Sequence, residues 1–249
     1  MSAGLAAAPV EAVLLDVGGV FLLPQPRVLL PALRAAGADP DDEALARAHY
    51  AGIAAMDEAG PDWDIYRATL AICAGVPRAH VPAAAAELGR LFRSTGESLW
   101  SRVVPGSIDA LRRLADAGVA LGVVSNAAGT IAELLVAGKI CQVGTGEGVP
   151  VTVVVDSHLV GMAKPDPRIF AIALAELGVA PEHAVHVGDT AHADVEGALA
   201  AGVRPLHLDP YGDCPYADGH HEHVRSLDDV VGLVARQGEP VVEQKSTRN

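Results

Sequence analysis

The sequence predicts an α/β protein: a doubly wound parallel sheet with a second, all-helical unit. Two observations carry the sheet. Short apolar runs stop at polar residues, Val13–Leu15 at Asp16, Val119–Val124 at Ser125 and Ala184–Val187 just before Asp189, as strands buried on both faces do when they deliver side chains to a sheet edge. From Pro105 onward helix-like and strand-like periods alternate, which makes parallel pairs joined by right-handed crossovers. A third observation carries the helical unit: between Arg27 and about Val104 one alanine-rich helical pattern follows another with no strand-like alternation. The boundaries that follow are a core of residues 1–22 and 105–237, a helical insert of residues 23–104, and a tail from residue 238 to 249 expected to be flexible.

Taken in order, Val13–Leu15 reads as a buried strand ending at Asp16, and the glycines that follow at positions 18 and 19 free the backbone to turn and to approach an anion or metal closely. The segment Leu22–Pro26 is too proline-rich to continue a central strand, and a helical pattern starts near Arg27. Helices are expected over Asp41–Met56, Trp63–Ala74 and Pro82–Trp100, separated by breaks at Gly60-Pro61 and Gly75-Val76-Pro77. A helix from Ser107 to Ala117 stops at Gly118 and feeds the strand VALGVVSN, which ends in Ser125 and Asn126. Gly129–Ala137 reads as a helix. Lys139–Pro150 is glycine-rich and reads as an irregular, disordered loop before the strand VTVVVDS. Lys164 follows, in a backbone that Pro165 turns away from helix, while Asp166 and Pro167 make an N-cap and first position for the helix Arg168–Leu177. The strand Ala184–Val187 then delivers Asp189, with Asp194 near the start of the next helix, and RPLHLDP and the helix to Arg236 close the chain.

Composition limits the partners. Thirty-one acidic against 18 basic residues give a formal charge of −13 over 249 residues, which argues against nucleic-acid or anionic-membrane binding, since both need a basic face. Cys73, Cys141 and Cys214 are odd in number and far apart, so neither a disulfide framework nor a C-x-x-C clip is indicated and a reducing cytoplasm fits. The N-terminal stretch shows no signal-peptide pattern and no membrane span is expected.

The predicted topology brings Asp16, Ser125 and Asp189 to one sheet edge, with Lys164 on a neighbouring loop and Asp194 on the adjoining helix. Three carboxylates gathered without a cation raise one another's pKa, so Asp16, Asp189 and Asp194 ask for a metal, and hard oxygen donors without His or Cys point to Mg²⁺. Such an ion takes a substrate phosphate as a further ligand. Lys164 and Ser125 then complete the cradle, one as a compact positive charge and the other as a hydrogen-bond donor. Three carboxylates and a phosphate dianion make about −5 against about +3 from metal and lysine, so loss of Lys164 is expected to be severe.

The stretch D-V-G-G-V from Asp16, the strand end Ser125-Asn126, Lys164 in K-P-D-P-x-x-F and G-D-T-x-x-x-D from Gly188 to Asp194 resemble, in order and spacing, the four motifs of the haloacid dehalogenase (HAD) superfamily. The resemblance covers residues 10–210, and the helical insert falls between the first two motifs, where relatives with a helical cap carry theirs. It implies a Rossmann-like doubly wound parallel sheet with a small helical cap domain. It also implies Mg²⁺-dependent hydrolysis of a small phosphorylated metabolite, with Asp16 as nucleophile forming an aspartyl-phosphate. Ser125 and Asn126 would bind phosphate, Lys164 would organise the charges, and Asp16, the Gly18 carbonyl, Asp189 and Asp194 would hold the metal.

One departure bears on the chemistry. The family's phosphatases carry a second Asp two residues after the nucleophile as general acid and base, and this chain has Gly18 there. General acid–base help is worth roughly 10² to 10⁴ in rate, so slow turnover is expected. His192, His49 and Tyr66 are conceivable replacements, but each reads first as a surface or packing residue. Mutase chemistry is disfavoured because it needs that acid twice, and dehalogenation because relatives that do it work without Mg²⁺. The alternative is a weak or inactive member that binds a ligand or a protein in the same cleft.

In the insert, His49, Tyr50, Asp57, Trp63, Tyr66 and Arg67 are the candidates for contacting substrate. Asp213, Cys214, Asp218, His220, His221, Glu222 and His223 form a ligand-rich stretch whose spacing matches no structural zinc pattern. A polar surface loop is expected there.

Overall fold

A computed structural model describes residues 8–216 and 221–237. The tail from residue 238, and Asp218 and His220 of the ligand-rich stretch, lie outside the described residues. Strand β1 (Ala12–Leu15) leads through a short strand β2 (Leu22–Pro24) into helices α1 (Pro26–Ala35), α2 (Asp42–Ala59), α3 (Trp63–Cys73) and α4 (Val81–Thr95), and strand β3 (Trp100–Val103) leads out again. There follow α5 (Ser107–Asp116), β4 (Ala120–Ser125), α6 (Ile131–Ala137), β5 (Cys141–Val143), β6 (Val149–Val151), β7 (Val153–Asp156) and α7 (Ser157–Val160). The chain then runs through α8 (Pro167–Leu177), β8 (Ala184–Gly188), α9 (Gly197–Ala200), β9 (Arg204–Leu208), β10 (Glu222–Val224) and α10 (Leu227–Gln237).

Six strands form one sheet in the order β10-β9-β8-β1-β4-β7, every pair parallel. The chain builds outward from β1 to β4 and β7, then returns to β1's other side for β8, β9 and β10. Strand order therefore reverses at β1, and open α/β sheets bind ligands beyond the carboxyl ends of strands at such a reversal. Successive β1 residues split between the two faces. Val13 and Leu15 join α5, α6 and α10 in one apolar layer, while Ala12 and Leu14 join α8 and α9 in the other. All four are 0% exposed, which explains an unbroken apolar run where a half-solvated strand would alternate.

The insert has its own core. Leu29, Leu33, Leu45, Tyr66, Leu70, Leu88 and Leu99 cluster between α1, α2, α3 and α4, and each fully buried leucine is worth about 1.5–3 kcal/mol of transfer free energy. Helices α2 and α3 approach closely enough that a Cβ on Gly52 would sit 2.8 Å from the Tyr66 ring. Asp41 and Asp62 start the two helices by accepting from Ala44 N and Asp64 N, as N-cap carboxylates do. Asp166 caps α8 from Arg168 N, with Pro167 at the first helical position.

Two expectations are corrected. Residues 27–104 are not free of strand, because β3 pairs antiparallel with β2. Pro24 excludes a central strand but is tolerated at the end of this two-stranded ribbon, where the register shifts between Leu23 and Pro24. The Lys139–Pro150 segment is not a disordered loop: β5 pairs with β6, and the Gln142 side chain donates to Gly148 O at 3.0 Å and accepts from Gly148 N at 2.8 Å. A side-chain amide thus satisfies the glycine-rich backbone between the strands. Among the described residues no helix is long and apolar enough to cross a membrane.

Candidate active site

Beyond the carboxyl ends of β1, β4 and β8 the structure gathers Asp16, Ser125, Lys164, Asp189 and Asp194 around one cavity of about 790 Å³, along with Gly18 and Asn126. Asp16 is set by the ladder, its N–H donating to Val187 O at 2.9 Å one residue past β1. Ser125 is the last residue of β4 and is buried. Its partner in register, Asp156 of β7, accepts from Gly129 N and His158 N and so ties down the loop after β4.

Lys164 is held at both ends. Its main chain is clamped by Asn126, whose Oδ1 accepts from Lys164 N at 2.8 Å while Nδ2 donates to Lys164 O at 3.0 Å. Its ammonium lies 2.8 Å from Asp16 Oδ1 and 2.6 Å from Asp194 Oδ1. Asp194 also meets His186 Nε2 at 2.8 Å and accepts from Thr190 N at 3.1 Å and from the Thr190 hydroxyl. Its oxygens are therefore fully engaged. Asp189 differs: among the described residues its buried Oδ2 has no hydrogen-bond partner, and His49 Nε2, its charge partner, is 3.4 Å away, too far for a good hydrogen bond.

Electrostatics separate the three carboxyls. Burial pushes Asp16 up to about 6 against the pull of Lys164, with the charges of Asp194 and Asp189 adding to the rise. Burial likewise drives Asp189 well above the usual carboxylate range, reinforced by Asp194 and Asp57. For Asp194 burial is overcome by the Lys164 charge and the His186 hydrogen bond, which hold it far below that range. One oxygen from each carboxylate lies within 4.8 Å of the others. A set of hard oxygen donors, one of them buried and unpartnered, fits a hard divalent cation such as Mg²⁺.

The glycines after Asp16 have different tasks. Gly19 has φ +65°, and a Cβ there would lie 2.0 Å from Asp189 Oδ2, so the Asp16 and Asp189 loops can meet only over a glycine. At Gly18 a Cβ would meet nothing closer than Asp16 Oδ2 at 3.9 Å. The Gly18 carbonyl accepts from Val20 N at 2.7 Å and keeps a second lone pair.

The helical insert roofs the cavity with His49, Trp63, Arg67, Phe92, Arg93 and Trp100. Helix α2 is tied to the strand ends. Tyr50 donates to Gly19 O at 2.6 Å, and buried Asp57 accepts from Ala191 N at 2.6 Å and His192 N at 3.1 Å. Asp57, expected to contact substrate, is occupied in holding insert and core together. His49 bonds the Tyr66 hydroxyl at 2.8 Å; burial lowers its pKa to about 3 and raises that of Tyr66 well above the phenol range. Both stay neutral at pH 7. His192 is turned to Glu196 at 2.8 Å. Sequence reasoning passed over His186 and Thr190, the partners of Asp194. The available signal was their place in HAVHVGDT, His186 inside the strand that delivers Asp189 and Thr190 directly after that acid.

Residues 10–202 match the family model of the haloacid dehalogenase-like hydrolases. The chain is 49% identical over 67 residues to a phosphoserine phosphatase of Thermus thermophilus, a stretch that covers 27% of each protein. It is 34% identical over 143 residues to haloacid dehalogenase-like hydrolase domain-containing protein 3 of Homo sapiens, covering 55% of this chain and 53% of that protein. The matches thus span about a quarter to a half of these curated relatives. Among solved structures, a HAD phosphatase from Thermococcus onnurineus superposes with a TM-score of 0.54 at 22% identity, over 90% of this chain and 98% of the other. A 2-haloacid dehalogenase from Pseudomonas syringae superposes with a TM-score of 0.52 at 21% identity, over 91% and 99%. At such identities the two establish the fold alone.

Proposed function

The chain belongs to the haloacid dehalogenase-like hydrolases, and from that membership we propose that it is a Mg²⁺-dependent phosphatase of small phosphorylated metabolites. The observation that carries the proposal is the Lys164 ammonium between Asp16 and Asp194, beside a buried Asp189 oxygen that has no hydrogen-bond partner among the described residues. Asp16 and Asp189 would hold the cation with the Gly18 carbonyl, while Asp194, saturated by four donors, chiefly fixes Lys164. The bound ion would supply Lewis-acid neutralisation of phosphate charge.

The chain's own residues perform the remaining work. A carboxylate oxygen of Asp16 attacks phosphorus, the bond from phosphorus to the ester oxygen breaks, and the electron pair leaves on that oxygen. Water then hydrolyses the aspartyl-phosphate, releasing inorganic phosphate and restoring Asp16. The Ser125 hydroxyl and the Lys164 ammonium meet the phosphoryl oxygens as charge develops, and Asn126 acts through the Lys164 main chain it holds. Trp63, Phe92 and Trp100 exclude water, and Arg93 gives the roof a positive charge suited to an anionic substrate, beside an Arg67 that is paired with Asp64. With Gly18 in place of an acid, and His49 and Tyr66 both neutral, the alcohol leaves without a strong proton donor. Turnover is slow for that reason.

Gly18 also favours a second reading, a member that binds in this cleft without turnover. Phosphate release from a panel of sugar and nucleotide phosphates, with and without Mg²⁺, tests the first: activity is expected only with Mg²⁺ and should vanish in Asp16→Asn. Beryllium fluoride with Mg²⁺ separates the two. A competent Asp16 forms an acyl-phosphate mimic that raises Tm, whereas an inert cleft gives no shift and upholds the second reading.

A further inference from the structure

A second cluster of ligand side chains lies outside the carboxylate floor. His207 stands on β9 and His223 on the adjacent strand β10, where the two are partners in register. Cys214 comes from the loop between those strands, and His221 lies just before β10. Each offers one ligand atom, and the four atoms lie within 4.8 Å of one another. Cys214 is 8% exposed and His207 4%.

The loop is shaped to bring the sulfur there. Asp209 accepts from the N–H groups of Gly212, Asp213 and Cys214. His207 is oriented from behind, its Nε2 lying 3.1 Å from Asp189 O. A carbonyl can only accept, so the proton sits on Nε2 and the Nδ1 lone pair faces forward, the arrangement by which metal-ligating histidines are usually braced. Nδ1 lies 2.9 Å from His221 Nε2, and the Cys214 Sγ lies 3.7 Å from that same nitrogen.

Hydrogen bonding alone does not satisfy this group. If His221 Nε2 carries a proton for His207, it cannot also accept the Cys214 S–H. Among the described residues the buried His223 Nε2 has no hydrogen-bond partner. A cation removes the conflict. Zinc–nitrogen bonds of about 2.0–2.1 Å and a zinc–sulfur bond of about 2.3 Å put tetrahedral N···N and S···N separations at about 3.3 and about 3.6 Å; the S···N separation found is 3.7 Å, and the N···N separation of 2.9 Å has to open slightly to admit the ion. One thiolate with three imidazoles is a borderline-soft set suited to Zn²⁺ and foreign to Mg²⁺.

We infer that His207, Cys214, His221 and His223 form a closed four-ligand zinc site that pins the loop after β9 to the strand end carrying Asp189. Four protein ligands leave no open coordination position, so the role is structural. On binding, the Cys214 thiol gives up its proton to water as the S–Zn bond forms. The sequence pattern is H-x6-C-x6-H-x-H; its first member lies in a strand outside the visibly ligand-rich stretch, which is why the spacing looked unlike a metal site.

The full-length chain, stripped with a chelator and dialysed against Zn²⁺ in excess Mg²⁺, is expected to retain one equivalent of zinc. The Co²⁺-loaded chain should show a thiolate-to-cobalt charge-transfer band with intense tetrahedral d–d bands. Cys214→Ser should lose the band and the equivalent. Cys73→Ser, which removes the exposed thiol, and Asp189→Asn should keep both. If Cys214→Ser fails to fold, His223→Ala serves in its place, and a many-fold weaker affinity for zinc is expected. No retained zinc, a charge-transfer band that survives Cys214→Ser, or an equivalent lost in Asp189→Asn but kept in Cys214→Ser would overturn the site.

Discussion

Gly18→Asp restores a carboxyl group where the family's phosphatases keep their acid, and the structure allows its effect to be worked out. The position is not in the left-handed region, and the added Cβ meets no atom closer than 3.9 Å, so no steric penalty is expected. The new carboxylate joins three others and one ammonium. At an effective dielectric of 20 and about 5 Å, each like charge costs about 3 kcal/mol, which corresponds to roughly two pKa units. With Mg²⁺ and a phosphate dianion in place the charge around the group stays net negative, which favours its protonated form, as a general acid working near neutrality requires. With Mg²⁺, kcat for an alkyl phosphate should rise by roughly 10² to 10⁴. The gain should be much smaller for p-nitrophenyl phosphate, whose leaving phenolate needs little protonation. The assay is steady-state phosphate release from both substrates by both proteins, alongside thermal melts. A folded variant with unchanged kcat on the alkyl phosphate would refute the assignment of Gly18 as the missing acid.

Lys164→Met leaves Asp16 and Asp194 buried without their shared cation. It should abolish phosphate release and lower stability by about 3–5 kcal/mol in denaturant titration. Asp57→Ala removes the acceptor for Ala191 N and His192 N. A loss of about 1–3 kcal/mol is expected, with faster proteolytic cleavage of the insert as α2 comes away from the strand ends. The pH dependence follows from Asp16, whose carboxyl rises from 3.8 to about 6 on folding. Between those values the folded, metal-free protein binds more protons than the unfolded chain, so this contribution favours the fold at low pH and is lost as pH rises through about 6, by about 3 kcal/mol in all. Mg²⁺ replaces the proton, so the Mg²⁺-induced rise in Tm should be small at pH 5 and large at pH 7.5; a shift independent of pH would contradict the shared carboxylate site.

Most of this molecule's elements are legible along the chain because they rest on local physics. An apolar run too short for a helix and stopped at Asp16, Asp166-Pro167 ahead of a helical period, and Gly118 after one each act within a few residues. The same locality explains the failures. Pro24 excludes a central strand but cannot announce the partner that β2 finds at Trp100–Val103, and Gln142 bonding to Gly148 is invisible to any reading of glycine content.

The ordered strand-end residues Asp16, Ser125, Lys164 and Asp189 can be collected from sequence, since parallel strands share one carboxyl edge. Which of them are free cannot. That Asp194 is saturated while Asp189 Oδ2 stands alone, that Asn126 serves Lys164 rather than facing outward unpaired, and that Asp57 latches the insert all depend on contacts between segments far apart in the chain. The His207 and Cys214 pairing depends on register as well, because a strand residue points to a ligand-rich loop only once β9 and β10 have aligned. Sequence carries the local preferences; burial, charge coupling and hydrogen-bond satisfaction arise only when distant segments exclude water together.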